Sequence, residues 1–160
     1  MTIVDVLTAI QNTGFARAIT KSDHLVIAAL QIIHVFAFLL LLSSLVLMCL
    51  RLLGLVLQRQ SIPQVIRGPM RLFWFGLSLA VISGALMFVT GTKHYYYNRA
   101  FDAKMLLLLT AVVTQLILFH RVALSESPRP ALARAIVAFS LVFWFGVAIA
   151  GRMREMAEKA

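Results

Sequence analysis

The stretch from residue 31 to residue 54, QIIHVFAFLLLLSSLVLMCLRLLG, decides the fold. It holds one histidine near its start, two adjacent serines, and an arginine at its end. Everything else between residues 32 and 50 is apolar or Cys49. A run this long matches the roughly 20 apolar residues that one helix needs to cross a bilayer. His34 then lies about eight residues inside the span, or about 12 Å deep at 1.5 Å rise per residue.

The rest of the chain agrees with this reading. Of 160 residues, 61% are hydrophobic and 13% are charged, with a mean hydropathy of +0.92. A soluble domain is about half apolar and about a quarter charged. So much apolar surface does not fit inside one small water-soluble core. The expected fold is all-α: an integral membrane four-helix bundle with a short N-terminal interfacial amphipathic helix. The whole chain, 1–160, reads as one membrane domain. The interfacial helix covers 2–20, and the spans fall at about 24–51, 71–91, 103–121 and 131–152. In the first of these segments Ile3, Val4, Leu7, Ile10 and Phe15 share one face of a helix. It is no signal peptide, because it lacks a basic start and a small-residue cleavage site. Ser22 and Asp23 are placed to cap the first span, and Pro63 breaks the loop that follows it. Pro130 stands where the last helix starts, since a missing N–H costs little at that position.

Charge orients the bundle. The loop from Arg51 to Arg71 carries four arginines and no acid, and the loop from Arg121 to Arg134 carries three arginines and one acid, Glu126. The positive-inside rule puts both loops in the cytoplasm and both termini outside, which in a bacterial inner membrane means the periplasm. The formal net charge of +9 is therefore assigned to topology and anionic lipid. Nucleic acid is not an expected partner, because no basic stripe with interleaved aromatics lies on a soluble face. The expected partners are the lipid bilayer and other membrane subunits or further copies of this chain. Tyr95, Tyr96 and Tyr97 suit an interfacial aromatic belt. Gly76, Ala80 and Gly84 form a ridge of small residues on the second span, which lets another helix approach closely.

Chemistry is sparse. The motifs HExxH, GxSxG, CxxC and the phosphate-binding loop are absent, and no catalytic residues are expected. All six acids lie at or beyond the predicted membrane boundaries. That disfavours a transporter or channel subunit, which usually needs an acid within the membrane. Cys49 is a small buried hydrophobe without a partner for a disulfide.

An ionisable ring at the depth of His34 is a functional candidate by default. It suits ligation of haem iron or a hydrogen bond to a quinone carbonyl. Hydrogen bonding across helices, to Ser, Thr or a carbonyl, is the structural alternative. His120 sits at the other end of its span, about 10 Å or more from His34 in depth, so one iron does not join the two. His24 and His94, at the outer rim, are the alternative pair. Trp144 is a mid-span indole that wants a partner for its N–H. Arg51 and Arg152 are further candidates: Arg51 ends the first span, where a cation suits a helix C-terminus at the headgroup level, and Arg152 ends the fourth at the outer side, where it is placed to hold an anionic group or a carboxylate such as Asp102. The candidate cofactor contacts are thus His34, Trp144, Arg51 and Arg152, with haem b or quinone as the cofactor.

These residues resemble a family of small four-helix bacterial inner-membrane proteins grouped as a domain of unknown function. The shared pattern is His34; Arg51-Leu52-Leu53-Gly54; Gly84 and Phe88; Tyr96, Asn98, Phe101 and Lys104; then Trp144, Gly151 and Arg152. One departure is Cys49-Leu50-Arg51, where the family often has Asp-Leu-Arg. The resemblance implies the topology and no activity. A more distant likeness in layout to membrane cytochrome b and copper-resistance membrane domains implies redox chemistry. Together these readings give the expected function: a small accessory or anchor subunit of a larger redox complex in the membrane. The alternatives are a haem- or quinone-binding electron carrier centred on His34, and a transporter or channel subunit.

Overall fold

A computed structural model describes residues 3–21, 24–90, 99–116 and 129–157, and among them the chain is helical with no strand. The helices are α1 (Ile3–Gln11), α2 (Gly14–Lys21), α3 (His24–Leu52), α4 (Ile62–Thr90), α5 (Arg99–Thr114) and α6 (Pro130–Ala157). Three of them, within α3, α4 and α6, are long and apolar enough to cross a membrane. Their outward faces are apolar as well, with Ile32, Phe36, Leu39, Phe75, Ile82 and Val142 all exposed. A helix apolar all round needs an apolar medium on its outer side.

The helices pair as two hairpins. α3 packs along α4, α5 packs along α6, and α3 touches α6 to join the pairs. The core lies at that junction, where Leu41, Leu45, Met48 and Leu52 of α3 meet Phe73 and Leu77 of α4 and Trp144 and Val147 of α6. Spacings of four, three and four residues put the α3 set on one face of the helix. Ser43 and Ser44, polar in the middle of this run, donate to the carbonyls of Leu39 and Leu40 at 2.8 Å. Each hydroxyl is thereby satisfied within its own helix.

The ridge on α4 finds its partner inside the chain. A Cβ built on Gly76 would stand 2.9 Å from the Ala37 carbonyl oxygen and 3.0 Å from the Leu41 nitrogen. Only a glycine lets these two backbones come so close.

Helix ends follow the local sequence. Leu55 N–H bonds to Leu50 O, and Gly54 N–H bonds to Arg51 O, each at 3.0 Å, with Gly54 at φ 72°. This pair of bonds is the Schellman arrangement, and glycine takes its left-handed position without strain. Arg51-Leu52-Leu53-Gly54 is therefore a helix stop signal. α4 begins earlier than its hydropathy indicates. Ser61 N–H donates to the Gln64 side-chain oxygen at 3.3 Å, and Ser61 O accepts from Val65 N–H. That is half of a capping box. Pro63 sits in the first helical turn instead of breaking a loop, a place that suits its fixed φ. The N-terminal segment is two helices and not one. Ala16 N–H bonds to Thr13 Oγ1 at 3.3 Å, so Thr13 caps α2 and separates it from α1. The side chains of Ile3, Val4, Leu7, Ile10 and Phe15 lie outside the described residues, as do Ser22, Asp23 and Tyr95 to Tyr97.

Candidate functional site

His34 meets α4 through polar contacts with the Ser83 hydroxyl and the Ala80 backbone carbonyl. The imidazole Nδ1 lies 2.9 Å from Ser83 Oγ. Ser83 is buried, and its hydroxyl donates to the Leu79 carbonyl at 2.7 Å, with the Ala80 carbonyl at 3.2 Å. A serine has one proton to give. With that proton on Leu79, the imidazole is the donor at Nδ1, and in the neutral ring Nε2 keeps a bare lone pair. The hydrogen-bond network thus assigns the tautomer.

Gly84 makes room for the ring. A Cβ at this position would stand 3.1 Å from His34 Cε1 and 3.5 Å from Nδ1. Gly76 seats the α3 backbone and Gly84 seats the histidine, two turns apart on one ridge. The ring is half-buried, so its Nδ1 edge is fixed against α4.

α5 brings two further groups to this end. Phe101 stacks on Phe88 of α4, with centroids 5.4 Å apart and planes 14° from parallel. Lys104 follows Phe101 by one turn of α5 and is half-buried. His34, Gly84, Phe88, Phe101 and Lys104 come from three helices and share one end of the bundle. Among the described residues no group of three or more His, Cys, Asp or Glu is arranged to hold a metal ion. A metal cofactor at this site would therefore take His34 as its described ligand.

The other sequence candidates lie elsewhere. Trp144 is fully buried and packs edge-on against Phe73, with centroids 5.3 Å apart and an interplanar angle of 89°, and it lies 6.4 Å from Phe38. Phe38 is one turn below His34 on α3, so Trp144 belongs to the layer beneath the histidine. Its Nε1 has no hydrogen-bond partner. Arg51 is at the far end of α3. It is buried, one of its terminal N–H groups donates to the Gln60 carbonyl, and its Nε has no partner. It ties down the loop after α3 and does not meet His34. His94 and His120 lie outside the described residues, as do the side chains of His24 and Arg152. Sequence reasoning missed Ser83 and Gln115, both buried polar side chains within helices.

Among the described residues, fold and site define a helical protein with three helices long and apolar enough to cross a membrane and a histidine clasped between two helices. The chain belongs to a family of unknown function, DUF6644, whose profile matches residues 8–157. No curated protein and no solved structure matches it.

Proposed function

We propose that this protein is a small integral membrane subunit of a redox complex, and that His34 is its contact with the electron-carrying cofactor. In this reading α5 and the residues after it supply a fourth span. The arginine-rich loops face the cytoplasm of a bacterium, and the His34 end faces the periplasm. The observation that carries the proposal is the His34 Nδ1–Ser83 contact at 2.9 Å. It orients an intramembrane imidazole and leaves the Nε2 lone pair for a ligand.

The favoured cofactor is a quinol. His34 Nε2 would accept a hydrogen bond from its hydroxyl, the Phe88–Phe101 pair would receive its ring, and Lys104 would stabilise negative charge on its oxygen. Haem b is the second reading. It is favoured because a ligating histidine usually donates its other ring N–H to a fixed acceptor, as Nδ1 does to Ser83.

The test is purification from the native membrane in mild detergent, followed by a reduced-minus-oxidised spectrum and extraction of quinone. Quinone bound at stoichiometric level in wild type and lost in His34→Ala supports the favoured reading. Haem absorbance bands lost in the same variant support the second. A preparation with neither cofactor and no co-purifying subunit refutes both.

A further inference from the structure

A second cluster of polar groups lies deeper in the bundle. Gln115 is 1% exposed, and both its amide atoms lack a hydrogen-bond partner among the described residues. Ser140 Oγ and Trp144 Nε1, equally buried, lack one too. The pairing of α5 with α6 brings Gln115 and Ser140 to a similar depth. Leu107 packs against Gly146, its methyl carbons 3.6 and 3.7 Å from where a Cβ would stand. Eight residues on from Leu107 is Gln115, and six residues back from Gly146 is Ser140. In an antiparallel pair this places them within about 3 Å of the same depth. Trp144 follows Ser140 by one turn on the same face of α6.

The backbone is unusual at the same point. At Gln115 and Leu116 the helix widens to π geometry. Such turns are rare and frequently mark functional sites. Unmet polar groups in a lipid-embedded bundle are costly, so these four atoms, two at the wide turn and two on the facing helix, call for partners.

Chemistry selects that partner. The Gln115 amide both donates and accepts, as does the Ser140 hydroxyl, while the Trp144 indole only donates. A carbonyl compound would leave the Gln115 oxygen unmet, and so would an anion. None of the three residues carries a charge to hold an ion. Water, which donates and accepts, meets all of them.

We propose that Gln115, Ser140 and Trp144 form an internal water site, filled from the Arg51 end of the bundle and closed toward His34. That end is where α3 and α5 finish and where α4 and α6 begin. The rings of Phe38 and Phe73 packed on Trp144 form the closure. The site is a blind inlet and not a channel, and it stands independently of which cofactor His34 meets.

The test uses membrane vesicles and a Cys49→Ala background. Ser140→Cys is compared with Val142→Cys, which sits at almost the same depth and is exposed on the outer surface of α6. A small cationic methanethiosulfonate is added from each side in turn. The expected result is labelling of Ser140→Cys from the Arg51 side at least tenfold faster than Val142→Cys, with none from the other side. Equal inertness of the two cysteines overturns the site, and labelling from both sides overturns the closure. Should Ser140→Cys fail to fold, a Trp74→Phe variant leaves Trp144 as the sole indole. Its fluorescence lifetime lengthens in D2O if the N–H meets water, and an unchanged lifetime overturns the proposal.

Discussion

Replacing Gly76 with alanine tests the closest contact in the fold. The new Cβ would stand 2.9 Å from Ala37 O, 3.0 Å from Leu41 N and 3.3 Å from Leu41 Cα. All three are backbone atoms of α3, so no side-chain rotation relieves the overlap. α3 must retreat by about half an ångström along the His34 half of the hairpin, and overpacking of this kind costs about 1–3 kcal/mol. Against it stands the general gain of about 0.5–1 kcal/mol when alanine replaces a helical glycine. Gly146→Ala separates the two terms. It receives the same general gain but meets only the flexible tip of Leu107 at 3.6 Å. The difference between the variants therefore isolates the clash, at about 1–3 kcal/mol. Unfolding of both proteins in mixed micelles with rising SDS, followed by Trp fluorescence, measures it. If Gly76→Ala is as stable as Gly146→Ala, the backbone approach between α3 and α4 is not as described here.

Other substitutions probe the site and the helix ends. Ser83→Ala removes the partner of Nδ1 and should cost about 0.6–1.7 kcal/mol, the range for a hydrogen bond between membrane helices; it should also lower cofactor retention, read as bound quinone or haem per protein. Gly84→Ala meets a side chain that can turn, His34 Cε1 at 3.1 Å, so the fold should survive while cofactor retention falls, and full retention would contradict the proposed role of the glycine seat. Gly54→Ala forces a side chain onto φ 72° and should cost about 1–2 kcal/mol in the same unfolding assay. Trp144→Ala opens a cavity under Phe73 and should cost about 3–5 kcal/mol, whereas Trp144→Phe keeps an aromatic ring there and should cost much less; equal losses would show that the indole N–H, and not the ring, matters.

Much of the fold was legible in sequence because lipid imposes a simple rule. A run such as 32–50 has few alternatives to a spanning helix, and the small-residue ridge on α4 announced close packing. What hydropathy concealed was the start of α4. Pro63, Arg67, Pro69 and Arg71 make residues 62–71 look like a loop, yet Ser61-Ile62-Pro63-Gln64 carries a helix-start signal that capping chemistry makes readable. Thr13-Gly14 hid the break between α1 and α2 for a similar reason, since one amphipathic period runs through both. At the site, His34 was visible because an ionisable ring in an apolar run is rare. Ser83 was not, because a serine among small residues reads as part of the packing ridge. Gln115 escaped because it carries no charge, and the cost of burying it appears only when its two amide atoms are seen without partners.

The ridge and the site are one feature. Gly76 lets α3 lie on α4, and that approach sets the distance from which Ser83 reaches His34. Gly84, on the same ridge, receives the imidazole edge at 3.1 Å. Moving α3 outward by the half ångström that Gly76→Ala demands would stretch the 2.9 Å contact toward the limit of a useful hydrogen bond. The orientation of the Nε2 lone pair therefore depends on a packing contact two turns away. It follows that Gly76→Ala should lower cofactor retention as well as stability, even though residue 76 does not touch His34. A variant that lost stability and kept its cofactor would separate the two, and would place the ligand somewhere other than on the clasped histidine.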